Sequence, residues 1–256
     1  MLFLSAIFLL LLGASLGSFA NMLIVRLKTG ESVGGRSHCV SCKKPLKALH
    51  LLPVISWCYL RGKCAYCSRS IHWHYPAVEV LMAVFALIAF LRHVPVASPY
   101  QWGVIGFEIA LSFCLVVIAV MDLRWKLIPM EFTVVSAMVL AAWRVLLGVP
   151  WLELIIGAIV ISALLAAIVA LSRATMMGEG DPVLGLLMGV VLGFPQALLG
   201  LLASFIVGGT AALALLMGGC VDRKTQVPFA PFLAIGTLIA LWWGGPLEVI
   251  FRYALL

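Results

Sequence analysis

Two carboxylates are the groups in this apolar chain best able to do chemistry, Asp122 in "MDLRWKLIP" and Asp181 in "MMGEGDPVLG". A carboxylate is costly to keep near lipid, so an acid at or inside an apolar span is a functional candidate. Paired, two such groups can act as acid and base, one taking a proton from water while the other gives one to a carbonyl. Each also has a plainer reading. Asp122 could be a solvated helix end paired with Arg124 or Lys126, and Asp181 could cap a helix that opens at Pro182. Gly178 and Gly180 free the backbone around Asp181 for a close approach to another group. Glu79 and Glu108 lie within or at the edge of apolar segments and are candidates on the same ground. Glu131 and Glu153 open apolar runs, where a negative charge suits a helix start. Glu31, Asp222 and Glu248 are loop or interface charges.

A second constellation is metal-binding. Cys39, Cys42, Cys64 and Cys67 form a doubled CxxC with 21 residues between the pairs, close to the spacing of a tetrathiolate zinc site. Four thiolates leave no open coordination position, so such a metal holds structure and hydrolyses nothing. His38, His72 and His74 are nearby but surplus to a filled site. Cys58, Cys114 and Cys220 read as small buried hydrophobes.

These groups must be positioned by helices. The chain has 256 residues, 64% hydrophobic and 11% charged, far more apolar than a soluble domain. The expected fold is an all-α polytopic membrane protein with about eight transmembrane helices and a cytoplasmic zinc-knuckle loop after the first. The spans fall near 2–25, 77–92, 102–121, 131–147, 152–172, 183–194, 196–217 and 229–244. Three parts follow: a first helix (1–25), a four-cysteine zinc-binding segment (26–76) and a transmembrane catalytic part (77–256). Met1 to Val25 has no positive leading region and stays apolar up to Arg26, so it is expected to be a retained span. The break at Gly193-Phe194-Pro195 decides between eight spans and seven.

The net charge is +7, which without position could suggest nucleic acid. The basic residues instead flank spans, where they report topology and anionic headgroups, so membrane lipid is the expected partner and nucleic acid is not. With eight spans and the N-terminus outside, loops 26–76, 122–130, 173–182 and 218–228 face the cytoplasm and hold 14 of the 17 Lys and Arg. Asp122 and Asp181 then lie at the same face, 59 residues apart in sequence and level in depth.

The ordered set of motifs resembles the type IV prepilin peptidases, bacterial leader peptidases and N-methyltransferases of the GxGD aspartyl protease family. The resemblance rests on "GSFANMLIVRL" at 17–27, the two CxxC pairs, "LPVISWCYLRGKC" at 52–64 and "YPAVEVL" at 75–81. It continues through Asp122 with its downstream Ile-Pro, "GEGD" at 178–181 and "VPFAPFLAIG" at 227–236. It implies an aspartyl endopeptidase that cleaves basic leaders of prepilins or pseudopilins on the cytoplasmic side of the bacterial inner membrane, within a pilus or type II secretion assembly. It implies further that the enzyme methylates the new N-terminus with S-adenosylmethionine. Carried onto this chain, the catalytic pair falls on Asp122 and Asp181 and the structural Zn²⁺ ligands on Cys39, Cys42, Cys64 and Cys67.

Gly178, Glu179 and Gly180 are the expected substrate-binding residues, with Glu179 and Glu31 as leader contacts. Glu79 and the zinc loop are the first places to look for S-adenosylmethionine, since no glycine-rich nucleotide fingerprint is present. Two positions depart from the family pattern: Val183 stands where a lysine is common, and "PME" at 129–131 replaces the usual Pro-Asp. From each aspartate's own helix, Asp181 is the expected base and Asp122 the acid. The rival function is an ion- or proton-coupled transporter using Asp122, Asp181 and Glu108.

Overall fold

Five prolines punctuate the apolar runs, and each marks a helix start. In the computed structural model Pro99 opens the helix that ends at Trp125, Pro129, Pro150 and Pro195 immediately precede the helices Met130–Leu146, Trp151–Leu171 and Gln196–Met217, and Pro182 lies in the first turn of the helix Asp181–Leu192. Proline suits these places because its missing N–H has no partner in the first turn anyway. The structure describes residues 2–96, 98–172, 177–219 and 227–254, with only the backbone of 245–254.

The long helices are α1 (Leu2–Thr29), α3 (His74–Arg92), α4 (Pro99–Trp125), α5 (Met130–Leu146), α6 (Trp151–Leu171), α7 (Asp181–Leu192), α8 (Gln196–Met217) and α9 (Ala230–Ala254); α2 is a short turn of helix, Ile55–Tyr59. Every expected span is a helix, and the described residues hold no strand. Five of them, α1, α3, α4, α6 and α8, are long and apolar enough to cross a membrane. The break near 193 is real: α7 ends at Leu192, and Gly193 (φ 75°) turns the chain in a conformation that disfavours other residues.

The chain divides into two compact units, residues 1–117 and 118–256, with the division inside α4. In the first, α1 packs along α3. Gly13 and Gly17 form the small-residue seam, since a Cβ on Gly13 would meet the Met82 carbonyl oxygen at 2.6 Å and one on Gly17 the Glu79 Cα at 2.5 Å. Leu9, Ala86, Ala89, Phe90, Ile105 and Ile109 close the core of this unit. Between α1 and α3 lies the cysteine segment, with a 3₁₀ turn at Ala48–Leu51 before α2.

In the second unit α7 is the enclosed element. It touches α5, α6, α8 and α9 and buries eight of its twelve residues. Glycines let its neighbours approach: a Cβ on Gly157 of α6 would meet the Gly189 carbonyl oxygen at 2.7 Å, and one on Gly189 the Ala158 Cα at 2.5 Å. Twelve residues rise only about 18 Å, well short of a hydrocarbon core of about 30 Å. Ends buried in protein make that length tolerable. Cys220, Asp222 and three cations of the charge count (Arg173, Arg223 and Lys224) lie outside the described residues.

Candidate active site and metal centre

Asp122 lies three residues before the end of α4 and is 7% exposed; Asp181 is the first residue of α7 and is 3% exposed. Both line one cavity of about 360 Å³, with Lys126, Ile128, Met130, Met177, Phe229 and the 178–180 turn. The two carboxylates are close enough to interact electrostatically. The structure thus brings together the pair that the sequence could only place at one membrane face.

Each carboxylate takes one backbone N–H. Ala230 donates to Asp122 Oδ2 at 3.0 Å, and Gly178 donates to Asp181 Oδ2 at 2.9 Å. Ala230 is the first residue of α9, so Asp122 occupies the positive end of that helix. This changes the electrostatic expectation, because Asp122 meets the negative end of its own helix and the positive end of another. The own-helix argument that made Asp181 the base and Asp122 the acid no longer separates them. Asp181 also differs from the expected cap: Gly180 precedes the helix, and the Asp181 side chain turns back to Gly178.

The two glycines of GEGD serve different ends. Neither has a positive φ. A Cβ on Gly180 would meet the Ile128 Cβ at 2.8 Å, whereas one on Gly178 would find nothing nearer than Asp181 Oδ2 at 3.7 Å. Gly180 is therefore small because Ile128, in the turn after α4, packs on it. Glu179 is exposed at the cavity mouth beside them. Sequence reasoning missed Lys126 as a lining residue, Ile128 as the group that fixes Gly180, and Ala230 altogether. "VPFAPFLAIG" was a visible motif, but a backbone amide carries no residue-type signal for its role.

In the first unit, Cys39, Cys42, Cys64 and Cys67 bring their Sγ atoms within 4.8 Å of one another, with Cys39 and Cys67 at 3.9 Å. Four thiolates around tetrahedral zinc stand about 3.8 Å apart at Zn–S distances near 2.3 Å, so the donor set fits such a cation. The two knuckles repeat one another. Cys39 donates its N–H to the Lys44 carbonyl and accepts from Lys43; Cys64 donates to Arg69 and accepts from Ser68. Lys43 and Ser68 both adopt left-handed φ, 56° and 55°. The Arg69 amide favours the Cys67 thiolate, but desolvation and hydrogen bonds from Cys64, Cys42 and Cys39 outweigh it and push the thiol up to about 11.

Around this centre, Arg26 is buried at the end of α1, with its guanidinium on the carbonyls of Val33, Gly34, Gly35 and Arg36. Glu31, expected as a leader contact, is engaged internally. Lys43 Nζ donates to it at 3.0 Å and His38 lies at 3.5 Å, and the Lys43 hydrogen bond holds its carboxyl below the usual range. His72 and His74 contact each other through their Nδ1 atoms at 3.0 Å, apart from the thiols.

Glu79 is buried in α3 and accepts the Val54 N–H at 2.7 Å, with Ser18 of α1 also hydrogen-bonded to it. One turn along α1 from Gly17, Asn21 donates to the Tyr75 carbonyl at 2.9 Å, while its buried Oδ1 has no partner among the described residues. Glu108, the third acid of the transporter reading, is held at 2.9 Å by His93 and at 3.9 Å by Arg92. That ion pairing gives a cation path no support.

Residues 11–93 match the profile of the bacterial peptidase A24 N-terminal domain, and residues 109–213 that of the type IV leader peptidase family. The chain is 32% identical over 214 residues to a prepilin leader peptidase/N-methyltransferase of Aeromonas salmonicida, covering 82% of this chain and 72% of that one. A protein of the same name from Bacillus subtilis is 28% identical over 238 residues, covering 92% and 93% of the two chains. Another from Legionella pneumophila is 31% identical over 227 residues, covering 82% and 72%. No solved structure matches the chain.

Proposed function

The chain belongs to the type IV leader peptidase family, and from that premise we propose which of its groups carry the chemistry. It is a multi-pass membrane enzyme that removes the leader peptide of prepilins and N-methylates the new terminus. Its setting is pilus or secretion assembly. In functional terms residues 1–25 are a first helix, 26–76 the metal-holding segment and 77–256 the peptidase part. The Lys and Arg excess in loops 26–76 and 122–130 supports a cytoplasmic position at the inner membrane for the metal segment and the dyad.

Asp122 and Asp181 are the catalytic pair, and one observation carries this: two buried carboxylates line a single cavity. Like charges this close share one proton and titrate as a unit. The ionised member takes a proton from water as its oxygen bonds to the scissile carbonyl carbon. The protonated member gives its proton to the carbonyl oxygen. As the tetrahedral adduct collapses and the C–N bond breaks, the carboxyl that took the water proton gives it to the leaving amine, while a hydroxyl of the adduct returns its proton to the other carboxylate, so the pair again holds one proton. Gly178, Glu179 and Gly180 line the approach, and Glu179 offers a charge complementary to a basic leader.

The Cys₄ centre suits Zn²⁺, which would fasten the two knuckles and supply stability that a segment of about fifty residues lacks. S-adenosylmethionine supplies the methyl group when bound. The buried Glu79 carboxylate and the unpartnered Asn21 Oδ1 are acceptors suited to its ammonium group.

The test incubates purified enzyme with a prepilin, with and without S-adenosylmethionine, and reads product mass. Leader loss without the methyl donor and one added methyl with it are expected. Asp122→Asn and Asp181→Asn should each abolish leader loss, and near-normal cleavage by either variant refutes the dyad.

A further inference from the structure

Between Glu31 and Glu79 the chain has no acidic residue, while Arg36, Lys43, Lys44, Lys47, Arg61, Lys63 and Arg69 are all basic. Within this cationic segment the 3₁₀ turn and α2 carry a run of large apolar side chains in the open. Leu49 is 72%, Ile55 65% and Tyr59 85% exposed, and Leu52 is exposed beside them. Ile55 and Tyr59 are four residues apart and share one face of α2. The other face is occupied: Trp57 donates its Nε1–H to the Ile71 carbonyl at 3.1 Å and its ring packs on Gly62. The apolar face is thus held outward by a rigid attachment to the second knuckle.

Depth comes from the same unit. Val54, at the start of α2, is tied to Glu79, five residues or about 7.5 Å inside α3. Gly17 of α1 lies against Glu79, and α1 continues twelve residues, about 18 Å, beyond that level. The start of α2 is therefore level with residues inside both flanking helices, below the end of each. Apolar side chains with Tyr at the edge and Lys and Arg around them are the composition of an interfacial anchor.

We propose that residues 48–60 lie in the membrane interface, with Leu49, Leu52, Ile55 and Tyr59 in the acyl boundary of an anionic leaflet and Lys44, Lys47 and Arg61 on its phosphates. The occupant of this surface is lipid, because the cations around the apolar face complement anionic headgroups, each worth a measurable attraction near such a surface. The metal centre is then moored at three points, by α1, by α3 and by this strip.

The test uses the full chain with Tyr59→p-benzoylphenylalanine or Ile55→p-benzoylphenylalanine, reconstituted in phosphatidylglycerol-containing vesicles and in pure phosphatidylcholine. After irradiation, mass spectrometry identifies the adduct. Lipid adducts at both positions are expected, several-fold more in the anionic vesicles, with none from the same probe at the exposed Ala65. Lys44→Gln, Lys47→Gln and Arg61→Gln together should remove the preference for the anionic vesicles. Adducts to a prepilin or to a second copy of the chain, no lipid adduct, or equal yield in both vesicles would overturn the proposal. The readout is independent of peptidase activity.

Discussion

The Ala230 N–H donates to Asp122 Oδ2 at 3.0 Å across 108 residues of chain. The start of α9 is thereby part of the proposed catalytic site without contributing a side chain. This bond fixes one carboxylate's orientation and places it in the field of a helix terminus.

Removing the bond without disturbing the helix is possible, because proline is tolerated in the first turn. Ala230→Pro should lower kcat by roughly 10- to 100-fold, the range for a hydrogen bond to a charged group, with KM little changed. Ala230→Gly keeps the N–H and should retain most activity. Steady-state kinetics on a prepilin substrate checks both, and equal losses in the two variants would refute the role of the amide.

Gly180 and Gly178 should separate under the same substitution. Gly180→Ala forces a Cβ against Ile128, displacing the turn that carries the dyad, and should cost activity strongly. Adding Ile128→Gly removes the Cβ that would be struck and should restore a large part of it, a coupling that a double-mutant cycle measures. Gly178→Ala meets no close neighbour and should be mild.

Metal retention should depend on pH in a definite direction. Zinc takes cysteine as the thiolate, and the Cys67 thiol is pushed up to about 11, so binding displaces protons at neutral pH and affinity rises with pH and falls on acidification. Competition with a chromogenic chelator between pH 6 and 8 should show this. Cys64→Ser should lose the metal and raise proteolytic cleavage within 26–76.

Gly189→Ala tests the α6–α7 seam. Its Cβ would meet backbone of Ala158, which has no flexible end to give way. A stability loss of about 1–3 kcal/mol or more is expected, read as a lower thermal midpoint in detergent, together with lost cleavage because α7 carries Asp181.

The helices were legible because apolar runs of spanning length admit few other structures in a membrane. Even α7 was placed within two residues, since Pro182 and Gly193-Phe194-Pro195 punctuate it. The carboxylates were legible by their cost near lipid, and the four cysteines by their spacing. The groups that hold the carboxylates were not. Ala230, Gly178 and Val54 act through main-chain N–H, and any residue but proline can supply one. Helix dipoles failed as a guide to Asp122 because the relevant helix was α9, distant in sequence. Gly180 was read as freedom of backbone when its cause is the volume of Ile128.

The twelve residues of α7 carry a hydrophobic mismatch inside the protein itself. About 18 Å of helix stands in for about 30 Å of hydrocarbon, so at least one of its ends lies within the thickness of the bilayer. A leaflet that thickens around the enzyme deepens that shortfall, and one that thins relieves it, at a modest cost per ångström. Acyl-chain length, a property of the host membrane and absent from the sequence, thereby becomes a determinant of how readily water reaches the proposed hydrolytic centre.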